Sequence, residues 1–124
     1  MLGKTATAAT IVSQSNAAKA VGSGSLDVFA TPMMIALMEQ AACACLEDIL
    51  EPGQTSVGTH VCVDHTAASA VGAEVTATAT VTSLNKRSVE FSVSACDSAG
   101  AQIGSGRHVR VIVDIERFMR KVQP

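Results

Sequence analysis

The chain has 124 residues, of which 48% are hydrophobic; it contains no Trp or Tyr, three Phe, and carries a net charge of −2. That is long enough for one domain (residues 1–124) with a real core, and too apolar for disorder over most of its length. The near-neutral charge and the lack of a basic run or an aromatic stacking set exclude an ordinary nucleic-acid binder, and no unbroken apolar stretch reaches bilayer-crossing length.

Lys4 to Val12 alternates and ends in Ile11 and Val12, which predicts a strand. Ser13 to Ser25 is rich in Ser, Ala and Gly and reads as a loop. Thr31-Pro32 then announces a helix, with Thr31 as the N-cap and Pro32 at the first helical position. The helix is predicted from Pro32 to about Leu50, before Pro52-Gly53. Beyond it the period changes from helical to two. Val57, Val61 and Val63 mark one strand; Val75, Ala77, Ala79 and Val81 mark a second. Val89, Phe91, Val93 and Ala95 mark a third, and Ile103 to Ile115 a fourth. Turn signals fall between them at Val71-Gly72, Asn85-Lys86 and Asp97 to Gly100. Short connections favour antiparallel neighbours, so the fold class is α+β: one long helix wrapped by an antiparallel sheet of about five strands. A single sheet leaves part of so apolar a helix uncovered, and a second copy would complete the cover as a symmetric dimer.

The helix carries one carboxylate in its apolar run Met33 to Leu46, at Glu39, beside Gln40. A buried glutamate must be paired or used, and burial disfavours its charged form, so Glu39 is the first candidate acid, base or nucleophile. Thr31 lies eight residues earlier, near the same face and at the positive pole of the helix N-terminus. His65 shares the parity of Val61 and Val63 on the following strand, the expected core side, where it could meet Glu39. His60 and Asp64 have the opposite parity and should face outward. His108 shows no sequence reason to be catalytic. Gly58, at the start of the same strand, could bring a backbone N–H close to a reacting carbonyl. Gly104-Ser105-Gly106 is a glycine pair in a strand and reads as a bulge or a close approach. Arg107, Arg110, Arg117, Arg120 and Lys121 make the C-terminal part locally basic, as a solvated edge and tail or as a docking patch for a phosphorylated ligand.

Cys43, Cys45, Cys62 and Cys96 form no CxxC pair and no secretory leader precedes them, so they read as reduced, buried structural thiols of a cytoplasmic protein. No HExxH or paired Cys/His spacing supports a metal, no other cofactor is indicated, and GxSxG is absent.

Taken in order, Phe29-Ala30-Thr31-Pro32, Leu37-Met38-Glu39, Leu50 to Gly53, Gly58-Thr59, Val63 to Ala68, Ile103 to Gly106, His108, Arg110 and Glu116 to Phe118 resemble the hotdog-fold thioesterases, most of all the fluoroacetyl-CoA thioesterase subgroup. The resemblance spans roughly residues 26 to 122. It implies a dimer, or a tetramer built from dimers, with the active site near the subunit interface. It implies catalytic roles for Thr31, Glu39 and His65, with Gly58 and Arg110 touching the substrate. It also implies an acyl-CoA substrate, no cofactor, and no nucleic-acid or membrane partner. One departure is visible. The fluoroacetate enzyme carries a phenylalanine-bearing lid just before the helix, whereas Val21 to Asp27 has no aromatic, which points to a more general small acyl-CoA thioesterase. Two rivals remain at this stage: a hotdog enoyl-CoA hydratase or dehydratase, and a non-catalytic acyl-ligand-binding hotdog protein.

Overall fold

The computed structural model describes residues 1–124. In chain order it contains β1 (Thr5–Ile11), a 3-10 turn at Gln14–Asn16, α1 (Ala18–Val21), α2 (Thr31–Leu46), β2 (Gln54–His65), β3 (Glu74–Asn85), β4 (Ser88–Asp97), β5 (Gln102–Asp114) and α3 (Ile115–Val122). The five strands form one antiparallel sheet in the order β1-β3-β4-β5-β2, so β1 and β2 are its edges.

The alternation does what it predicts. Val75, Ala77, Ala79 and Val81 of β3 and Val89, Phe91, Val93 and Ala95 of β4 are all buried against α2. Met34, Leu37, Met38, Ala41, Ala42, Cys45 and Leu46 form the helix side of that core. Burying one such large side chain stabilises the fold by roughly 1.5–3 kcal/mol. Alanine at three facing strand positions keeps the sheet surface low, so the helix packs without aromatic bulk. The opposite flank of α2, with Ala36, Gln40 and Cys43, lines an open trough of about 610 Å³ that this sheet does not cover.

Several local expectations need correction. Ser13 to Ser25 is not all loop. Asn16 is buried there, its Oδ1 accepting from the Ser13 N–H and its Nδ2 donating to the Ile11 carbonyl, which organises the short turn and α1. Ala30, not Thr31, is the N-cap of α2, and Thr31 is already helical, which frees its hydroxyl for another partner. The helix ends at Leu46, four residues early, where Glu47–Ile49 becomes a turn. The basic tail is partly the helix α3. Asp114 caps it by accepting from the Arg117 N–H at 3.0 Å, and Arg120 and Lys121 sit at its C-terminal end, where the helix dipole favours cations. All four cysteines are free, but only Cys45 is buried and Cys62 is exposed on β2.

The glycine pair in β5 marks a close approach. A Cβ at Gly104 would lie 2.6 Å from Met34 Sδ and 2.7 Å from the Asp64 carbonyl, and one at Gly106 would overlap the Cys62 carbonyl and Val63. The ladder between β2 and β5 slips at Thr59, between Gly58 and His60, while Val63↔Gly106 and His65↔Gly104 stay in register.

Candidate active site

Two polar clusters ride on strand β2, one near each end. At its C-terminal end His65 meets the first turn of α2: Thr31 Oγ1 and His65 Nδ1 are 2.7 Å apart. His65 Nε2 is buried and has no partner. Burial holds this imidazole below its ordinary value of 6.5, with a backbone hydrogen bond at Ala67 pulling weakly the other way, so the ring is neutral near neutral pH. Thr31 and His65 line a cavity of about 250 Å³ together with Phe29, Thr66, Ala18 and Ser23. A buried nitrogen without a partner beside a cavity is a group waiting for a ligand or water.

The second cluster gathers over Gly58. Glu39 projects from the middle of α2 and its Oε2 accepts from Arg110 Nη1 at 3.1 Å. Arg110 Nε donates to Ser56 Oγ at 2.8 Å and Nη2 to the Ser56 carbonyl at 3.0 Å. His108 Nε2 lies 3.1 Å from Arg110 Nη1, and its Nδ1 lies 2.8 Å from the His60 carbonyl. A Cβ on Gly58 would stand 2.8 Å from Glu39 Oε2 and 3.1 Å from His108 Cε1. The glycine is therefore the floor on which the carboxylate rests. Burial, reinforced by the Arg110 charge, holds His108 below 6.5; the His60 carbonyl and Glu39 oppose this.

The predicted residues thus fall into two groups within one protomer. Thr31 pairs with His65; Glu39 pairs with Arg110 above Gly58; Glu39 and His65 are not hydrogen-bonded to each other. The carboxylate is not buried as the apolar helix suggested: its side chain is 38% exposed, because the sheet covers the other flank of α2. Val61, opposite His108 in the ladder and in phase with Val63 and His65, is nevertheless 39% exposed, because β2 is an edge strand. Arg110, which composition left in a solvated basic edge or a phosphate-docking patch, is only 7% exposed and joins the Glu39 cluster. His108 and Ser56 join this cluster without having been singled out for it. Parity was the available signal: His108 shares a face with Arg110, and Ser56 with Gly58, each two residues apart on a strand. No three His, Cys, Asp or Glu side chains come together as a metal site.

The geometry can now be set beside known proteins. The sequence model of the FlK family, fluoroacetyl-CoA-specific thioesterase, matches residues 12–116. The fluoroacetyl-CoA thioesterase of Streptantibioticus cattleyicolor is 44% identical over 97 residues, covering 78% of this chain and 69% of that protein. A crystal structure of the fluoroacetyl-CoA thioesterase FlK superposes with a TM-score of 0.92 at 35% identity, over 100% of this chain and 98% of the other. A Thermus thermophilus hypothetical protein of the thioesterase superfamily superposes with a TM-score of 0.89 at 27% identity, over 98% and 92%. A helix wrapped by one five-stranded antiparallel sheet, matched along its whole length, makes this chain a hotdog-fold member of the fluoroacetyl-CoA-specific thioesterase family.

Proposed function

We propose that the protein hydrolyses a small acyl-CoA, or a related acyl thioester, with Thr31, Glu39 and His65 as its reacting set. The observation that carries this reading is the Thr31–His65 pair at 2.7 Å, with His65 Nε2 unpartnered beside a cavity, in a member of a thioesterase family. A neutral imidazole held in place by a hydroxyl is suited to steering a water and taking its proton, which the resulting imidazolium can then hand to the departing thiolate. Glu39 supplies the carboxylate that attacks the carbonyl or activates that water, and the Gly58 N–H and Arg110 face the acyl end. The absence of an aromatic between Val21 and Asp27 favours an open preference among short acyl groups over fluoroacetyl-CoA alone.

The same reading requires a homodimer. Gly58 to Cys62 of edge strand β2 is exposed. Antiparallel pairing of two β2 edges about a two-fold would bring Gly58, with Glu39 above it, close to the partner's His65. The dimer would also cover the open flank of α2. Four free cysteines fit a reducing cytoplasm.

A thiol-release assay across acetyl-, propionyl-, butyryl- and crotonyl-CoA tests the activity, with sedimentation of the same sample testing the dimer. The wild type is expected to release CoA from short acyl-CoAs as a dimer, and Glu39→Gln to lose about 100-fold or more in turnover with its fold intact. Full activity in Glu39→Gln would end the assignment of the carboxylate, and hydration of crotonyl-CoA without thiol release would move the protein to the hydratases.

A further inference from the structure

His108 is among the most enclosed polar side chains of the chain, 1% exposed, and nothing in the reacting set above uses it. Its surroundings fix its chemistry atom by atom. Nδ1 is 2.8 Å from the His60 carbonyl, which can only accept, so Nδ1 carries the hydrogen. Nε2 is 3.1 Å from Arg110 Nη1, which can only donate, so Nε2 is the bare lone pair. Phe91 stacks on the ring at 6.1 Å between centroids and 26° between planes, which restrains the plane of the ring. Four of the five N–H donors of Arg110 are then assigned. Nε and Nη2 go to Ser56; of the two Nη1 hydrogens, one goes to Glu39 and the other to His108.

We propose that His108 is a positioning residue for the hydrolysis: with its proton on Nδ1, its Nε2 accepts from Arg110 Nη1 and so fixes the guanidinium that orients the Glu39 carboxylate. This rests on the hydrolase reading above. His108 touches no reacting atom; it acts through Arg110. Of the groups facing it, α2 contributes Glu39, β5 Arg110, β2 the His60 carbonyl with the His60 ring farther out, and β4 the uncharged Phe91 ring. A proton added at Nε2 would set two N–H groups against each other across 3.1 Å. The arrangement therefore works only with a neutral ring.

Two substitutions separate the halves of this role. In His108→Asn the amide reaches only as far as Nδ1, which keeps the bond to His60 and removes the acceptor for Arg110. In His108→Gln the amide oxygen reaches the Nε2 position and restores that acceptor. On short acyl-CoAs, His108→Asn is expected to lose about tenfold or more in kcat with KM within about twofold, and His108→Gln to return to within about threefold of the wild type. Equal losses in the two variants, or a loss carried by KM, would overturn the proposal. Wild type inactive on every thioester would sink the hydrolase reading, whereas an active wild type matched by His108→Asn sinks only this inference. Nitrogen-resolved NMR of the wild-type imidazoles gives a readout that needs no variant to fold. At about pH 8 it should show His108 protonated at Nδ1 and bare at Nε2, and a proton found on Nε2 there overturns the assignment.

Discussion

Gly58 shows how little room the carboxylate has. Its missing side chain leaves space that Glu39 Oε2 and His108 Cε1 already border, at 2.8 and 3.1 Å from where a Cβ would stand. Gly58→Ala should push the flexible tip of Glu39 off Arg110 and leave the sheet intact. The expected outcome is a fall of about 100-fold in kcat for acyl-CoA hydrolysis with an unchanged circular dichroism spectrum. Unchanged turnover would mean that the carboxylate's direction does not matter. At this scale the sequence was partly legible. Glu39, Thr31, His65, Gly58 and Arg110 stand out by residue type or by resemblance. Their partners do not, because periodicity reports which face a side chain occupies and not which neighbour lies within 3 Å of it. Glu39 was expected inside the core on the strength of the residues around it. It lies instead on the flank of α2 that the sheet leaves open.

Among the elements, the β2–β5 ladder is the one that sets the site. Gly106 lets these strands approach so closely that a methyl group would overlap the Cys62 carbonyl and Val63 backbone, which cannot swing aside as a side-chain tip can. Gly106→Ala should therefore destabilise the fold by about 2 kcal/mol, read as a lowered urea midpoint at unchanged slope. A midpoint equal to the wild type would show that the ladder tolerates a shift. The strands and α2 were legible because each has a clean period and a bounding turn. The helix α3 was not, although Asp114 ahead of Glu116 and the late Arg120 and Lys121 are ordinary cap and dipole signals. The valine alternation of β5 runs up to Ile115 and masks where the period changes. Thr59 is similar: a one-residue slip beside a glycine leaves no mark in composition, yet it changes the phase of Gly58 relative to Val61, Val63 and His65.

For the whole molecule, His65 and His108 make the fold sensitive to acid. Both are held below 6.5 in the folded state, chiefly by burial, so on acidification the unfolded chain takes up protons that the folded chain refuses. Stability is thus complete above the unfolded value of 6.5 and declines as the pH falls below it. Thermal unfolding should give a lower Tm at about pH 5.5 than at about pH 7.5, and a flat Tm over that window would contradict two neutral, enclosed imidazoles. The cavity beside Thr31 and His65 carries a last consequence. Of its nine lining residues only Thr31 and His65 belong to α2 and the sheet, where a change of shape breaks helix or ladder bonds. Ala18 and Ser23 belong instead to the short α1 region, outside both. Under the hydrolase reading, substitutions at Ala18 or Ser23 would resize this cavity while leaving α2 and the sheet as they are.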